Sequence, residues 1–499
     1  MESTMMDVPL TVGMLMRHGT TVHRDAEVLT WTGDGVRRAS YAQLGRRAAQ
    51  LAGALRALGV TGDQRVATFQ WNNQEHLEAY LAIPAMGAVL HTLNLRLAPE
   101  QVAWIANHAE DDVVIVDGSL LPSLARALPE MKTVRHIVVT GTPDLSPLDG
   151  AAPEVHSYEE LLAAQPAEFD WPDVDERSAA AMCYTSGTTG NPRGVAYSHR
   201  SSYLHAICLC TGEAGALTPA DRILPVVPMF HANAWGLPYA ALLSGASLTM
   251  TDCHLAAGSL SRLIETTRPT VSGAVPTIWA GLLRHLREHG GDVSSLRRVL
   301  CGGSAVPPSL IRAFSDEFGV EITHAWGMTE TSPVATVATP PAGAHGEQLW
   351  RYQASQGRLV AGVEARIVGE GDVVLPCDGT SVGEIEVRGP WITGRYYGES
   401  GTGRFHDGWL RTGDVGTLDE LGFITISDRA KDVIKSGGEW ISSVRLENLL
   451  MGHPKVAEAA VVAVPDERWG ERPLAVVVTT PGERVTPADL RDHLATSVP

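Results

Sequence analysis

Apolar residues recur every three or four positions behind Ser40: Tyr41, Leu44, Ala48, Leu51, Leu55 and Leu58, with Gly59 after them. That spacing predicts an amphipathic helix capped by the Ser40 hydroxyl and ended at the glycine. A strand-like run at 65–71 follows, then a helical stretch at 74–86, an apolar run at 88–93, a helix at 98–108 and a strand at 112–116. Strands alternating with helices predict a mostly parallel sheet with helices on its faces. Residues 144–172, rich in Pro, Ala and acids, read as a surface excursion.

A second alternating region runs from 179 to about 330. Beyond Pro340 the texture changes to short β-like runs (365–368, 384–387, 422–426) among Gly, Asp and Pro, which suits an antiparallel, barrel-like subdomain. After Ser427 the pattern is β-loop-α-β-β-α, with strands near 457–464 and 474–478. Its last helix has Thr486 as N-cap and Pro487 at the first helical position, and the chain stops after it with no closing strand. No repeat of 20–50 residues is visible.

With 499 residues, 44% hydrophobic and 19% charged, the chain is globular and long enough for two or more domains. Its net charge of −18 argues against a phosphate-backbone partner, so nucleic acid is not expected. Six cysteines without paired spacing suit reduced thiols in a cytoplasmic protein rather than a disulfide framework or a zinc finger. The N-terminus has no apolar signal region, and no run is long enough to span a membrane. Lysine occurs only at 132, 431, 435 and 455, so arginine supplies nearly all positive charge, a bias that reads as coding composition.

The most informative stretch is Tyr184-Thr185-Ser186-Gly187-Thr188-Thr189-Gly190-Asn191-Pro192-Arg193-Gly194-Val195. Three glycines let backbone N–H groups turn inward, four hydroxyl side chains add donors, and Arg193 brings a cation. That set suits a polyphosphate. The spacing is not that of a Walker A loop. A Gly/Thr hairpin turn is the plain alternative, and the apolar strand start before the loop weighs against it.

This loop resembles the signature of the adenylate-forming superfamily, which includes acyl-CoA synthetases, luciferases and the adenylation domains of peptide synthetases. Further motifs follow in the family's order, so the resemblance covers essentially the whole chain. The run Pro228-Met229-Phe230-His231-Ala232-Asn233-Ala234-Trp235-Gly236 is most similar to medium- and long-chain fatty acyl-CoA synthetases. The resemblance implies an α/β fold with a large domain, 1–427, of two mostly parallel sheets sandwiched by helices plus a distorted β-barrel part at about 340–427. It also implies a small mobile α+β domain, 428–499, hinged at Asp428 and incomplete here.

The resemblance further assigns sites. Thr185, Ser186, Gly187, Thr188, Thr189 and Gly190 would cradle phosphates, and Gly302, Gly303, Ser304 and Ala305 would lie against adenine. In His324-Ala325-Trp326-Gly327-Met328-Thr329-Glu330 the aromatic would stack on the purine, Thr329 meet the α-phosphate and Glu330, with Thr185, hold Mg²⁺. Trp326 stands where Tyr is common, giving a larger π-face but no hydroxyl. Asp414 and Arg429 would hold the ribose. Lys435, Gly437 and Gly438 belong to the loop that lines the pantetheine path of coenzyme A.

His231 would sit at the mouth of the acyl pocket, with Trp235, Ala274, Val275, Thr277, Gly303 and Trp326 as linings. Peptide-synthetase domains carry an acid at the His231 position to pair an ammonium group. A histidine there suits a plain carboxylic acid. A packed histidine beside Phe230 is the bland reading.

The implied reaction uses ATP, Mg²⁺ and CoA: a carboxylic acid gives acyl-AMP and pyrophosphate, and thiol attack then gives acyl-CoA and AMP. Arg193 replaces the usual loop lysine, an exchange expected to be tolerated. None of the four lysines occupies the place of the family's adenylation lysine near the end of the small domain. A truncated chain is therefore expected, with acyl-AMP formation impaired more than thioester formation. Transfer to a carrier-protein thiol is the alternative within the family; a luciferase-like oxygenase and a non-catalytic nucleotide sensor are more distant ones. Oligomeric state is silent, a homodimer being one option.

Overall fold

Ser40 caps the helix Tyr41–Ala57 reciprocally: its Oγ accepts from the Gln43 N–H at 3.2 Å, and Gln43 Oε1 accepts from the Ser40 N–H at 2.7 Å. The structure, a computed structural model, describes residues 1–185, 191–399, 401, 403–429, 434–436, 439–466, 468–480 and 482–495. The apolar face of the capped helix packs on the helix Gln74–Ala85, all of whose residues are buried. Two of those are carboxylates, Glu75 and Glu78, so they must be paired. Glu78 accepts from Arg47 Nε at 2.6 Å, Gln74 Nε2 at 2.8 Å and the Tyr158 hydroxyl at 2.7 Å, and Glu75 pairs with Arg37.

Two sheets form the large domain. The first has the order Glu154–Ser157, His136–Thr140, Asp111–Asp117, Arg65–Phe69, Val89–Thr92, Ala179–Tyr184, Gly194–Ser198, parallel except for the last pair. The second holds Glu27–Trp31, Ser247–Met250, Arg222–Pro225, Val271–Ala274, Arg298–Cys301 and Glu321–Gly327 in parallel, with Val36–Ser40 antiparallel at its edge. The inner strands of both sheets are buried on both faces, which is why they read as short apolar runs rather than as alternation, whereas the edge strands Glu154–Ser157 and Val36–Ser40 are partly exposed.

The segment 144–172 lies largely at the surface, as expected, but it is anchored and carries secondary structure. It supplies the edge strand Glu154–Ser157 and the helix Tyr158–Ala163, whose Tyr158 and Leu162 are fully buried. Composition alone hid this, because two anchoring side chains suffice to fix a polar segment.

The antiparallel subdomain after Pro340 forms, but its described strands stay open instead of closing into a barrel. Glu321–Gly327 pairs parallel with one neighbour and antiparallel with Val334–Val337 on its other side, with a bulge at Trp326/Gly327. Gly357–Leu359, Phe423–Arg429, Trp409–Leu418, Gly383–Arg388, Glu364–Val368 and Val374–Leu375 then extend the same edge in that order. Each added strand lengthens one continuous ladder, so closure is not needed to satisfy the backbone.

Beyond Asp428 lies a small four-stranded sheet with the hairpin Val456–Asp466/Gly470–Thr479 and helices Ser443–Met451 and Pro487–Ala495 over Ile434, Leu446, Leu450 and Val461. Thr486 and Asp489 bond reciprocally at the start of the last helix, as Thr486-Pro487 predicts. Asp428 is buried, its Oδ2 accepting from the Ser443 N–H at 2.6 Å. Among the described residues no helix is long and apolar enough to cross a membrane, and all six cysteines are free.

Candidate active site

Strands Arg222–Pro225, Val271–Ala274, Arg298–Cys301 and Glu321–Gly327 run in one direction, so their carboxyl ends share one edge of the sheet. Chain just beyond those ends lines a cavity of about 600 Å³: Val226, Val227 and Pro228, then Val275, then Gly302 and Gly303, then Met328, Thr329 and Glu330. The crevice beyond strand carboxyl ends is where open α/β sheets bind ligands. A β-carbon on Gly302 would lie 2.3 Å from the Ala325 carbonyl oxygen, so glycine is required for the two segments to meet.

The residues flanking the Gly/Thr-rich loop sit on the first sheet. Tyr184 and Gly194 are ladder partners, and the Thr185 N–H donates to the Arg193 carbonyl at 2.9 Å while Thr185 Oγ1 accepts from the Arg193 N–H at 3.1 Å. Thr185 and Arg193 both line the cavity; Ser186, Gly187, Thr188, Thr189 and Gly190 lie outside the described residues. The Arg193 guanidinium lies 5.0 Å over the Tyr396 ring and 3.4 Å from Glu399.

Glu330 is buried, and its Oε1 accepts from the Tyr396 hydroxyl at 2.6 Å. Burial and the Glu330 charge push the Tyr396 phenol well above its ordinary range, so it stays a donor. Its backbone is fixed as well: the Glu330 carbonyl accepts from the Thr393 N–H, and the Thr329 carbonyl accepts from the Tyr197 hydroxyl of the first sheet.

Trp326 and Asp414 are both buried, and the indole Nε1 donates to Asp414 Oδ2 at 2.8 Å. Asp414 and Arg429 are ladder partners, with Arg429 Nε 3.1 Å from Asp414 Oδ1. Burial raises the Asp414 pKa, opposed by Arg429 and the indole N–H. The indole therefore supplies the polar contact whose lack the sequence suggested.

His231, Trp235, Ala274, Val275, Thr277 and Gly303 line the other half of the same cavity, with Leu255 and Ile278. Burial, then the Arg96 charge, lowers the His231 pKa, so the ring is neutral near pH 7. Ala232, Asn233, Ala234, Trp235 and Gly236 all have positive φ, a left-handed turn that directs Trp235 to the pocket. Buried Asn233 accepts from the Cys183 thiol at 3.0 Å, and Gly236 lies so close to His205 that a β-carbon would be 2.5 Å from its Nδ1.

Some expected residues do not line the cavity: Ser304 is exposed, Ala305 half-buried, and Asp414 is joined to it through Trp326 and Arg429. Lys435 belongs to the small-domain strand Ile434–Ser436, and Gly437 and Gly438 lie outside the described residues. Arg96, Arg404 and Tyr396 line the cavity unforeseen. The paired tyrosines Tyr396-Tyr397 after a glycine-rich turn are a local signal for one of them; the two arginines sit in polar turns that look like any surface loop.

Four guanidiniums (Arg96, Arg193, Arg404 and Arg429) and one carboxylate, Glu330, thus face one cavity among the described residues. Such a cavity suits an oxygen polyanion. A buried carboxylate beside that polyanion fits a hard divalent cation between them, so the residues present fit Mg²⁺.

The crevice at the strand carboxyl ends, with its guanidiniums around a buried glutamate, suits an enzyme that binds a nucleotide polyphosphate. The chain belongs to the AMP-binding enzyme family, which matches residues 16–397, and the AMP-binding enzyme C-terminal domain matches 445–499. It is 44% identical over 498 residues to a 3-methylmercaptopropionyl-CoA ligase of Ruegeria pomeroyi, covering 98% of this chain and 92% of that one. A medium-chain-fatty-acid–CoA ligase of Ectopseudomonas oleovorans is 43% identical over 502 residues (100% and 92% covered), and a long-chain-fatty-acid–CoA ligase of Thermus thermophilus 46% over 500 (99% and 90%). The crystal structure of an anthranilate CoA ligase with anthranoyl-AMP superposes with a TM-score of 0.88 at 25% identity, covering 99% of this chain and 92% of that one. The chain stands close to the fatty acyl-CoA synthetases within the adenylate-forming superfamily.

Proposed function

We propose that the chain is a carboxylic acid–CoA ligase for apolar acids, working through acyl-AMP. Gly302 and Gly303 with Trp326 receive the adenine, and Asp414 with Arg429 the ribose. Thr329 meets the α-phosphate, while Thr185, Arg193 and the glycine loop take the β- and γ-phosphates. Bound at Glu330, Mg²⁺ would neutralise phosphate charge and hold the polyphosphate in line. A carboxylate oxygen of the acid attacks the α-phosphorus, and the bond to pyrophosphate breaks. The CoA thiol, losing its proton to solvent, then attacks the acyl carbon and AMP leaves. Positioning and fixed positive charge carry both steps. Lys435, Gly437 and Gly438 are assigned to the pantetheine path, and Asp428 to the hinge between domains.

The observation that carries the substrate class is the make-up of the acyl half of the cavity. Val226, Val227, Trp235, Leu255, Ala274, Val275 and Ile278 surround it, and Glu330 is the one acid among all the described linings. An α-ammonium group would have no partner there, whereas an alkyl or thioalkyl tail would.

The test is a mass-spectrometric product assay with ATP, Mg²⁺, CoA and a graded panel of straight-chain, thioether and aromatic acids. Acyl-CoA with a chain-length optimum is expected. Acyl-AMP accumulating beside unused CoA would instead point to a carrier-protein acceptor, and neither product would refute the ligase reading.

A further inference from the structure

His136 opens the strand His136–Thr140, and Glu154 opens the parallel edge strand Glu154–Ser157. Both lie at the edge of the first sheet opposite the phosphate-loop strands. The register pairs His136 with Glu154 and Val138 with His156. Ladder partners, and residues two apart on one strand, share a face, so His136, Glu154 and His156 project to the same side.

Their ligand atoms converge. His136 Nδ1 is 3.1 Å from His156 Nε2, and Glu154 Oε2 is 3.7 Å from the first and 3.8 Å from the second. A tetrahedral zinc ion with bonds near 2.0–2.2 Å keeps its ligand atoms about 3.3–3.5 Å apart, a value these separations bracket. The imidazoles are mostly covered, 13% and 21% exposed, while the glutamate at 74% is free to close on an ion. Two nitrogens and one carboxylate oxygen form a borderline donor set that favours zinc-class cations over Mg²⁺.

We propose that His136, Glu154 and His156 form a binding site for a divalent zinc-class cation, with its fourth position open to water. Bound there, the ion clips the edge strand Glu154–Ser157 to its neighbour and braces the whole 144–172 segment. The site is independent of the ligase chemistry.

The experiment titrates metal-stripped, full-length protein with ZnCl₂, following heat and Tm, for the wild type and for His156→Gln, His136→Gln and Glu154→Gln. Each histidine variant is expected to bind one zinc equivalent fewer than the wild type and to lose the zinc-induced rise in Tm. Glu154→Gln should weaken that equivalent about tenfold. X-ray absorption of the wild type at one equivalent should show two imidazole nitrogens at about 2.0–2.1 Å, a readout that stands even where a variant fails to fold. Equal zinc stoichiometry in wild type and folded histidine variants, or a spectrum without paired imidazoles, overturns the site. In that case the 3.1 Å approach is an N–H···N hydrogen bond between the rings.

Discussion

Trp326 donates its indole N–H to Asp414 across 88 residues of chain, so one hydrogen bond links the two side chains proposed to receive the purine and the ribose. The bond holds the indole plane and one carboxylate oxygen at once, leaving the other oxygen to Arg429.

Trp326→Phe keeps an aromatic face and removes the donor. A hydrogen bond to a charged group is worth about 1.5–3 kcal/mol, so the KM for ATP should rise roughly ten- to hundredfold. The KM for the acid should change less than that for ATP, since phenylalanine keeps an aromatic wall where Trp326 lines the cavity. Steady-state kinetics in both substrates separates the two. A rise in the acid KM alone would contradict the link.

Tyr396→Phe removes the donor that fixes the Glu330 carboxylate but keeps the ring under Arg193. The Mg²⁺ concentration for half-maximal activity should rise by about tenfold or more. Equilibrium binding of MgATP, measured by calorimetry, should weaken in parallel. Unchanged magnesium dependence would show that Glu330 is placed by its backbone bonds alone.

Trp235→Ala should move the chain-length optimum to longer acids. The indole lies over the end of the central strand, 3.5 Å from where a side-chain carbon on Gly273 would stand, and so bounds the pocket. Removing it adds room and apolar wall beyond. A product panel from short to long acids reads the shift directly, and an unmoved optimum would place the limit elsewhere.

Acid should unfold the protein in a defined window. His76, His199, His205 and His324 are buried, with pKa values lowered to about 4 by desolvation. Between pH 6.5 and 4 the unfolded chain therefore binds more protons than the folded one. Stability is full above about pH 6.5 and falls as pH drops, each histidine costing about 3 kcal/mol by pH 4. The slope of unfolding free energy near pH 5 should correspond to about four protons taken up on unfolding. A flat profile through that window would contradict neutral burial of these rings.

Local signals in the sequence proved dependable where the physics is local. Ser40 with Gln43, and Thr486 with Asp489, cap their helices through bonds spanning three residues. The order Thr185, Trp326, Glu330, Asp414 could be read because each sits in a long motif. Arg96 and Arg404 could not, since what makes them site residues is an approach from distant chain. The left-handed turn at 232–236 carries four non-glycine residues, so no composition rule marks it. Tertiary support from Cys183 and the close approach of His205 stabilise a backbone that isolated residues avoid. Tyr158 likewise anchors its segment through Glu78, 80 residues away.

The strand Glu27–Trp31 finds its parallel partner in Ser247–Met250, with the Glu27 N–H reaching a serine 220 residues later. Emerging from a ribosome at roughly 5–20 residues per second, that apolar strand waits about 10–40 seconds before its neighbour exists. During the wait Val28 and Leu29 are an unpaired edge, held back only by the hairpin with Val36–Ser40. Synthesis speed and chaperone supply, more than final stability, then decide how much of this chain reaches its native form when it is made in a foreign host.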